Sequence, residues 1–255
     1  MSTITALGLV LLVVMILVGG KQGAKSFFSL ILNFGFLFMA VILMAFHLPP
    51  LAVTLITGVV ILAITIFMGE DNLVTAQTAF YASLIVLVVL VLLIIPVEHW
   101  AMVQGFGEED SDDLEGMSIL IGINFLKIAV TTTVLSTLGA IAEAAMAIAA
   151  GLAEIIQQHP QTVPKKLFKN GISIGEQIIG TTFNTLFFGF FGGFLALFIW
   201  FSGLHYTFGE VINNKIFVAE LIMVLVSFVG VILTVPITAF VMGQRQRILL
   251  TGASK

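Results

Sequence analysis

The chain has 255 residues, 59% of them hydrophobic and only 9% charged, against roughly 25% charged in a soluble domain. A water-soluble globular protein is therefore excluded. The absence of cysteine rules out a disulfide framework or a thiolate metal site, and a net charge of -4 without a basic face or DNA-binding motif argues against a nucleic-acid partner.

Continuous apolar runs close to the ~20 residues a helical span needs recur at 3–20, 27–46, 51–68, 79–97, 119–147, 178–201 and 217–241. Because the runs do not alternate, they predict helices rather than a barrel. The expected fold is all-α: a polytopic transmembrane helix bundle of about seven spans, forming one integral membrane domain over residues 1–255. No basic residue precedes the first run, as one would in a secretory signal, so this run is read as retained. Gly19-Gly20-Lys21, Leu48-Pro49-Pro50 and Gly69-Glu70-Asp71-Asn72 mark the first turns.

Lys and Arg near span ends stay on the cytoplasmic side. With the N-terminus outside, Lys21, Lys25, Lys165, Lys166, Lys169, Arg245, Arg247 and Lys255 all fall inside, and only Lys215 lies in an outer loop. The same topology puts the acidic segment 105–116 outside, and Trp100 and Trp200 at the outer interface. The reading is an integral membrane protein with its N-terminus outside and a cytoplasmic C-terminus. The acidic segment lacks EF-hand spacing, and neither a metal site nor a cofactor is expected.

Two segments stand out from the apolar background. In the first, offsets of 4, 3, 4, 4, 3 and 4 align Thr132, Ser136, Gly139, Glu143, Ala147, Ala150 and Glu154 on one helical stripe. Lys127 is expected to snorkel to the outer interface, which puts Glu143, sixteen residues and about 24 Å further on, just within the inner end of the membrane. Two readings stay open. The small residues form a close-packing face with Glu143 and Glu154 already in water, or the helix breaks near Gly139, or tilts, and Glu143 faces a cavity as an ion or proton site.

The second segment enters the sixth span. Ser173 and Glu176 have capping-box spacing, whereas Gln177, Thr181 and Asn184 make a polar stripe opposite Phe183, Phe187, Phe190, Phe191 and Phe194. Buried amides and hydroxyls need partners, and the glutamate helix is the nearest supply. Broken or re-entrant helices are therefore expected near 136–158 and 171–185, closing around an inner-side ion or solute site of Glu143, Glu176, Gln177, Thr181 and Asn184. Gly171-Ile172-Ser173-Ile174-Gly175 also matches the G-x-S-x-G of a serine hydrolase elbow. With no preceding strand and no base in evidence, an enzyme is not expected.

These two segments carry a resemblance. Gly139-Ala140-Ile141-Ala142-Glu143, followed by Ala145, Ala147, Ile148 and Ala150, and then Leu167-Phe168, Gly171, Ile174-Gly175, Ile178, Gly180-Thr181 and Asn184-Thr185-Leu186, resemble the YibE/F-like family of bacterial multi-pass membrane proteins. The sequence departs from the family pattern with Glu143 in place of Asp, Ala147 and Ala150 in place of Ser, Ser173 in place of Asn, and Glu176-Gln177 in place of Arg-Asp. The resemblance implies paired YibE-type and YibF-type chains, this one of the YibF type without a large extramembrane domain. Besides the lipid bilayer, the expected partners are thus a YibE-like membrane protein or further copies of this chain. A transporter or permease component for an ion or small polar solute is the leading expectation. A non-catalytic subunit that pairs with a YibE-like chain is the alternative.

Overall fold

The order of helices follows the apolar runs, and a computed structural model describes residues 2–103 and 124–252. α1 (Thr3–Ala45), α2 (Pro50–Gly69), α3 (Leu73–Ala101), α4 (Phe125–Gln158), α5 (Pro164–Gly193), α6 (Leu195–Gly203), α7 (Phe208–Asn213) and α8 (Lys215–Gly252) form an all-helical bundle, with no strand among the described residues. The acidic segment 105–116, the residues before Asn124 in the fifth apolar run, and Lys255 lie outside the described residues.

Five helices are long and apolar enough to cross a membrane, or six if the bent pair α5 and α6 counts as one span. α1 is continuous except at Gly20, whose φ of 56° and ψ of -132° break it in two. A positive φ costs glycine little. The turn is so tight that a Cβ on Gly23 would meet the backbone oxygen of Met15. The expected turn near Gly19-Gly20-Lys21 is thus a break within one helix, after an arm with leucine, isoleucine and valine exposed all round.

The second arm of α1 runs antiparallel to α2, where the Asn33 amide donates to the Thr65 hydroxyl at 2.8 Å. α2, α3, α4 and α8 enclose the core, with Leu62, Ile66, Leu90, Ile94, Ile141 and Ile148 fully buried. Hydroxyls knit these apolar faces together: Thr54 of α2 donates to Thr131 of α4 at 2.7 Å, while Thr131 donates to its own Lys127 carbonyl at 2.9 Å. Such i-4 back-bonding lets a threonine sit inside a helix without an unmet donor.

α5 docks on α8 by close backbone approach. A Cβ at Gly171 would lie 2.5 Å from that of Ala239, and one at Gly175 would lie 2.2 Å from a Val235 methyl. This use of small residues between helices is the expected one in a membrane. At the far end of α5, Phe190, Phe191, Phe198 and Phe217 cluster with centroids 5.1 to 6.3 Å apart, tying α5 and α6 to the start of α8.

Most of the basic residues gather at one end of the bundle, with Lys127 and Lys215 at the other. Lys25 pairs with Asp71 at 2.6 Å. Arg245 donates to Gln77 at 3.0 Å, and the Gln246 amide donates to the Pro160 carbonyl at 2.7 Å in the α4–α5 turn. Glu98, Trp100 and the start of α8 occupy the opposite end.

Candidate functional site

The expected break near Gly139 is absent, because α4 is one unbroken helix from Phe125 to Gln158 and α5 is likewise unbroken across residues 171–185. Alanine is the commonest residue of α4, no proline interrupts it, and its Asn124 cap accepts from the Lys127 amide at 3.2 Å. Lys127 therefore stands in the first turn of α4, exposed. α5 begins at Pro164, well before Ser173 and Glu176, so these two do not cap it. The G-x-S-x-G segment is helical too. Gly171 and Gly175 serve the α8 contact rather than a strand-to-helix elbow.

The helical stripes, by contrast, are where their periodicity puts them. Thr132, Ser136, Gly139, Glu143, Ala147, Ala150 and Glu154 are all exposed along α4, as are Ser173, Glu176, Gln177, Gly180, Thr181 and Asn184 along α5. The two stripes face the same way. α4 and α5 are antiparallel, with Ala140, Ala144 and Gly151 of α4 set against Ile178, Ile179 and Ile174 of α5 in the seam. Glu143 and Ala147 follow seam residues at i+3 on α4, and Gln177 and Thr181 follow them at i+3 on α5. In an antiparallel pair the same offset turns both sets to one side, here the side away from α8. This register brings Glu143 to the height of Thr181 and Ala147 to that of Gln177, within about one helical turn.

The structure thus brings Glu143, Gln177, Thr181 and Asn184 onto one surface, but it does not close a pocket around them. They share no hydrogen bond, and the Thr181 hydroxyl donates to its own Ile178 carbonyl at 3.0 Å. The Met146 sulfur of α4 lies 3.6 Å from where a Cβ on Gly69, the last residue of α2, would stand. Glu143 is about one turn from Met146 towards the middle of the bundle, and Glu154 lies about two turns the other way, where the Gln158 amide donates to it at 2.7 Å.

A second carboxylate joins these without any expectation from the sequence. Glu98, in the last turn of α3, is only 2% exposed and accepts from the Thr133 hydroxyl of α4. Its other oxygen has no partner among the described residues. It lines a cavity of about 340 Å³ together with Thr132, Thr133, Phe125, Met223 and Glu220. In sequence Glu98 falls one residue past an apolar run and reads as a loop acid. The available signal is Thr131-Thr132-Thr133, an unusual hydroxyl density at the same membrane depth.

Long helices with apolar side chains over most of their exterior, such as Phe34, Ile56, Leu92 and Ile199, define a multi-pass membrane protein. Within that class the assignment is specific: the YibE/F-like protein family model matches residues 7–246, nearly the whole chain, and the chain belongs to this family. No curated protein and no solved structure matches it.

Proposed function

We propose that this chain is a transport component for an ion or small polar solute, with the α4–α5 face forming one wall of the path and a second membrane chain forming the other. The observation that carries the reading is the continuous polar and small-residue surface of Glu143, Gln177, Thr181 and Asn184, which nothing among the described residues covers. A carboxylate and two amides facing acyl chains are costly, and glycine and alanine between them let another helix approach closely. The bare face thus favours a protein cover, and a YibE-like chain is the partner this reading takes.

In the full arrangement the break at Gly20 turns α1 back across the membrane, and α5 with α6 makes one bent span, for seven crossings in a bacterial inner membrane. The N-terminus is then outside, and the basic end of the bundle is cytoplasmic by the distribution of Lys and Arg.

Co-reconstitution with a YibE-like partner tests the proposal. Proton, sodium and small-solute flux into vesicles should depend on both chains and fall at least tenfold with Glu143→Ala, while the complex stays intact. Unchanged flux in that variant removes the transport reading. If Gly139→Leu and Ala150→Leu separate the chains while Glu143→Gln has no effect on any flux, the chain is a non-catalytic pairing subunit instead.

A further inference from the structure

Apart from the α4–α5 face, the cavity at the opposite end of the bundle has the makings of a ligand site. Its walls come from three helices: Glu98 from α3, Phe125, Thr132 and Thr133 from α4, and Glu220 and Met223 from α8. Among the described residues no basic side chain lines it. Thr133 satisfies one oxygen of Glu98, and the other is buried without a partner among the described residues. Leaving a carboxyl oxygen buried without a donor is unfavourable, so the pocket favours an occupant that brings a hydrogen-bond donor.

The size of the cavity and the chemistry of its walls narrow the occupant further. About 340 Å³ falls at the lower end of the range for organic ligand pockets, and a water molecule takes up only about 30 Å³. A bare metal ion would need a shell of six or more oxygens if it were calcium. No group of three or more His, Cys, Asp or Glu side chains suited to a metal occurs among the described residues. Phe125 and Met223 give the remaining wall an apolar surface. We infer that the cavity binds a small organic cation, an alkyl- or cycloalkylammonium. Its charged nitrogen is held by the free oxygen of Glu98 with Glu220 as the second carboxyl group, and its hydrocarbon body lies against Phe125 and Met223. Glu98 lies near the level of Thr133, some ten residues or about 15 Å along α4 from Glu143, so occupancy can be measured whether or not the α4–α5 face conducts anything.

The test uses the full chain in lipid nanodiscs and cyclohexylammonium chloride as the probe. Saturation-transfer NMR and calorimetry are run beside its neutral counterpart cyclohexanol and beside sodium chloride and calcium chloride. Saturable binding of the ammonium but not of the alcohol is expected. Glu98→Gln, which keeps an acceptor for Thr133, should weaken it at least tenfold, as should Ala129→Phe, which puts a ring into the cavity from an α4 residue that also lines it. Glu70→Gln, on the α2–α3 turn, should bind like wild type. If Glu98→Gln fails to fold, Ala129→Phe and Glu220→Gln carry the comparison. Equal binding of the alcohol, binding untouched by the cavity-filling variant, no saturable binding, or a site that takes only sodium or calcium would each overturn the inference.

Discussion

Glu98 and Glu143 are both single carboxylates on long apolar helices, yet the bundle treats them in opposite ways. Glu98 is enclosed by three helices and bonded to Thr133, whereas Glu143 lies on a stripe that no described element of the chain covers. Local composition decides neither case. Glu98 borders a predicted loop and is buried, while Glu143, for which the sequence left water and an enclosed cavity both open, is exposed. In each case burial depends on which neighbouring helices arrive, and that is a property of the tertiary packing.

The largest effect should separate the packed faces of the hairpin from its bare ones. Gly175→Leu would drive a side chain into Val235, where even a Cβ would come within 2.2 Å. It should destabilise the bundle by about 3 kcal/mol, visible as a lost folded fraction on heating in detergent. At Gly139 nothing lies within 4 Å of the position a Cβ would take. Gly139→Leu should leave the isolated chain as stable as wild type, or up to about 1 kcal/mol more stable through helix propensity. Equal destabilisation by both would mean that the α4 stripe is packed within this chain after all.

A middle-sized effect contrasts the two glutamates directly. Thr133→Val removes the hydroxyl that donates to Glu98 and should cost about 1–3 kcal/mol, whereas Glu143→Gln on the exposed stripe should stay within about 0.5 kcal/mol. Comparing thermal midpoints in one detergent decides it, and a reversed order would mean that the contrast in burial is wrong.

The smallest effect is local and concerns Glu210, which closes a capping box with Thr207 at the start of α7. Hydrogen bonds from the Thr207 backbone amide and hydroxyl hold its carboxyl below the ordinary glutamate range. A depressed carboxyl stabilises the fold above the unfolded value of about 4.3 and loses that contribution as pH falls through the lower folded value. Protection of the Thr207 amide from exchange, taken relative to the intrinsic rate, should therefore be constant near neutrality and fall in acid below about pH 4. Glu210→Gln should remove that acid dependence.

Much of the fold was legible because the bilayer imposes a length and a composition on any helix that crosses it. The helices α2, α3 and α8 follow from runs that needed only to be long and apolar. Helical periodicity likewise placed the seven α4 positions and the α5 polar residues on shared faces, and all of them are exposed. The helix ends were not legible. α4 reaches Gln158 and α5 starts at Pro164 because Gln246 and Gly243 of α8 extend past the apolar run and pack against that turn, a contact between residues some eighty positions apart. The expected break at Gly139 failed for a related reason: a glycine in a helix is a weak signal unless something presses against it, and here nothing does.

By itself the sequence determined that this is a helical membrane protein, where its apolar runs lie and which residues share a helical face, because hydrocarbon solvation and the 3.6-residue repeat act on neighbours along the chain. The tertiary structure alone decided which face is covered. Glycines at 171 and 175 admit α8 to one side of α5 and leave Gln177, Thr181 and Asn184 outside with Glu143. The meeting of α3, α4 and α8 encloses Glu98, which no local pattern encodes.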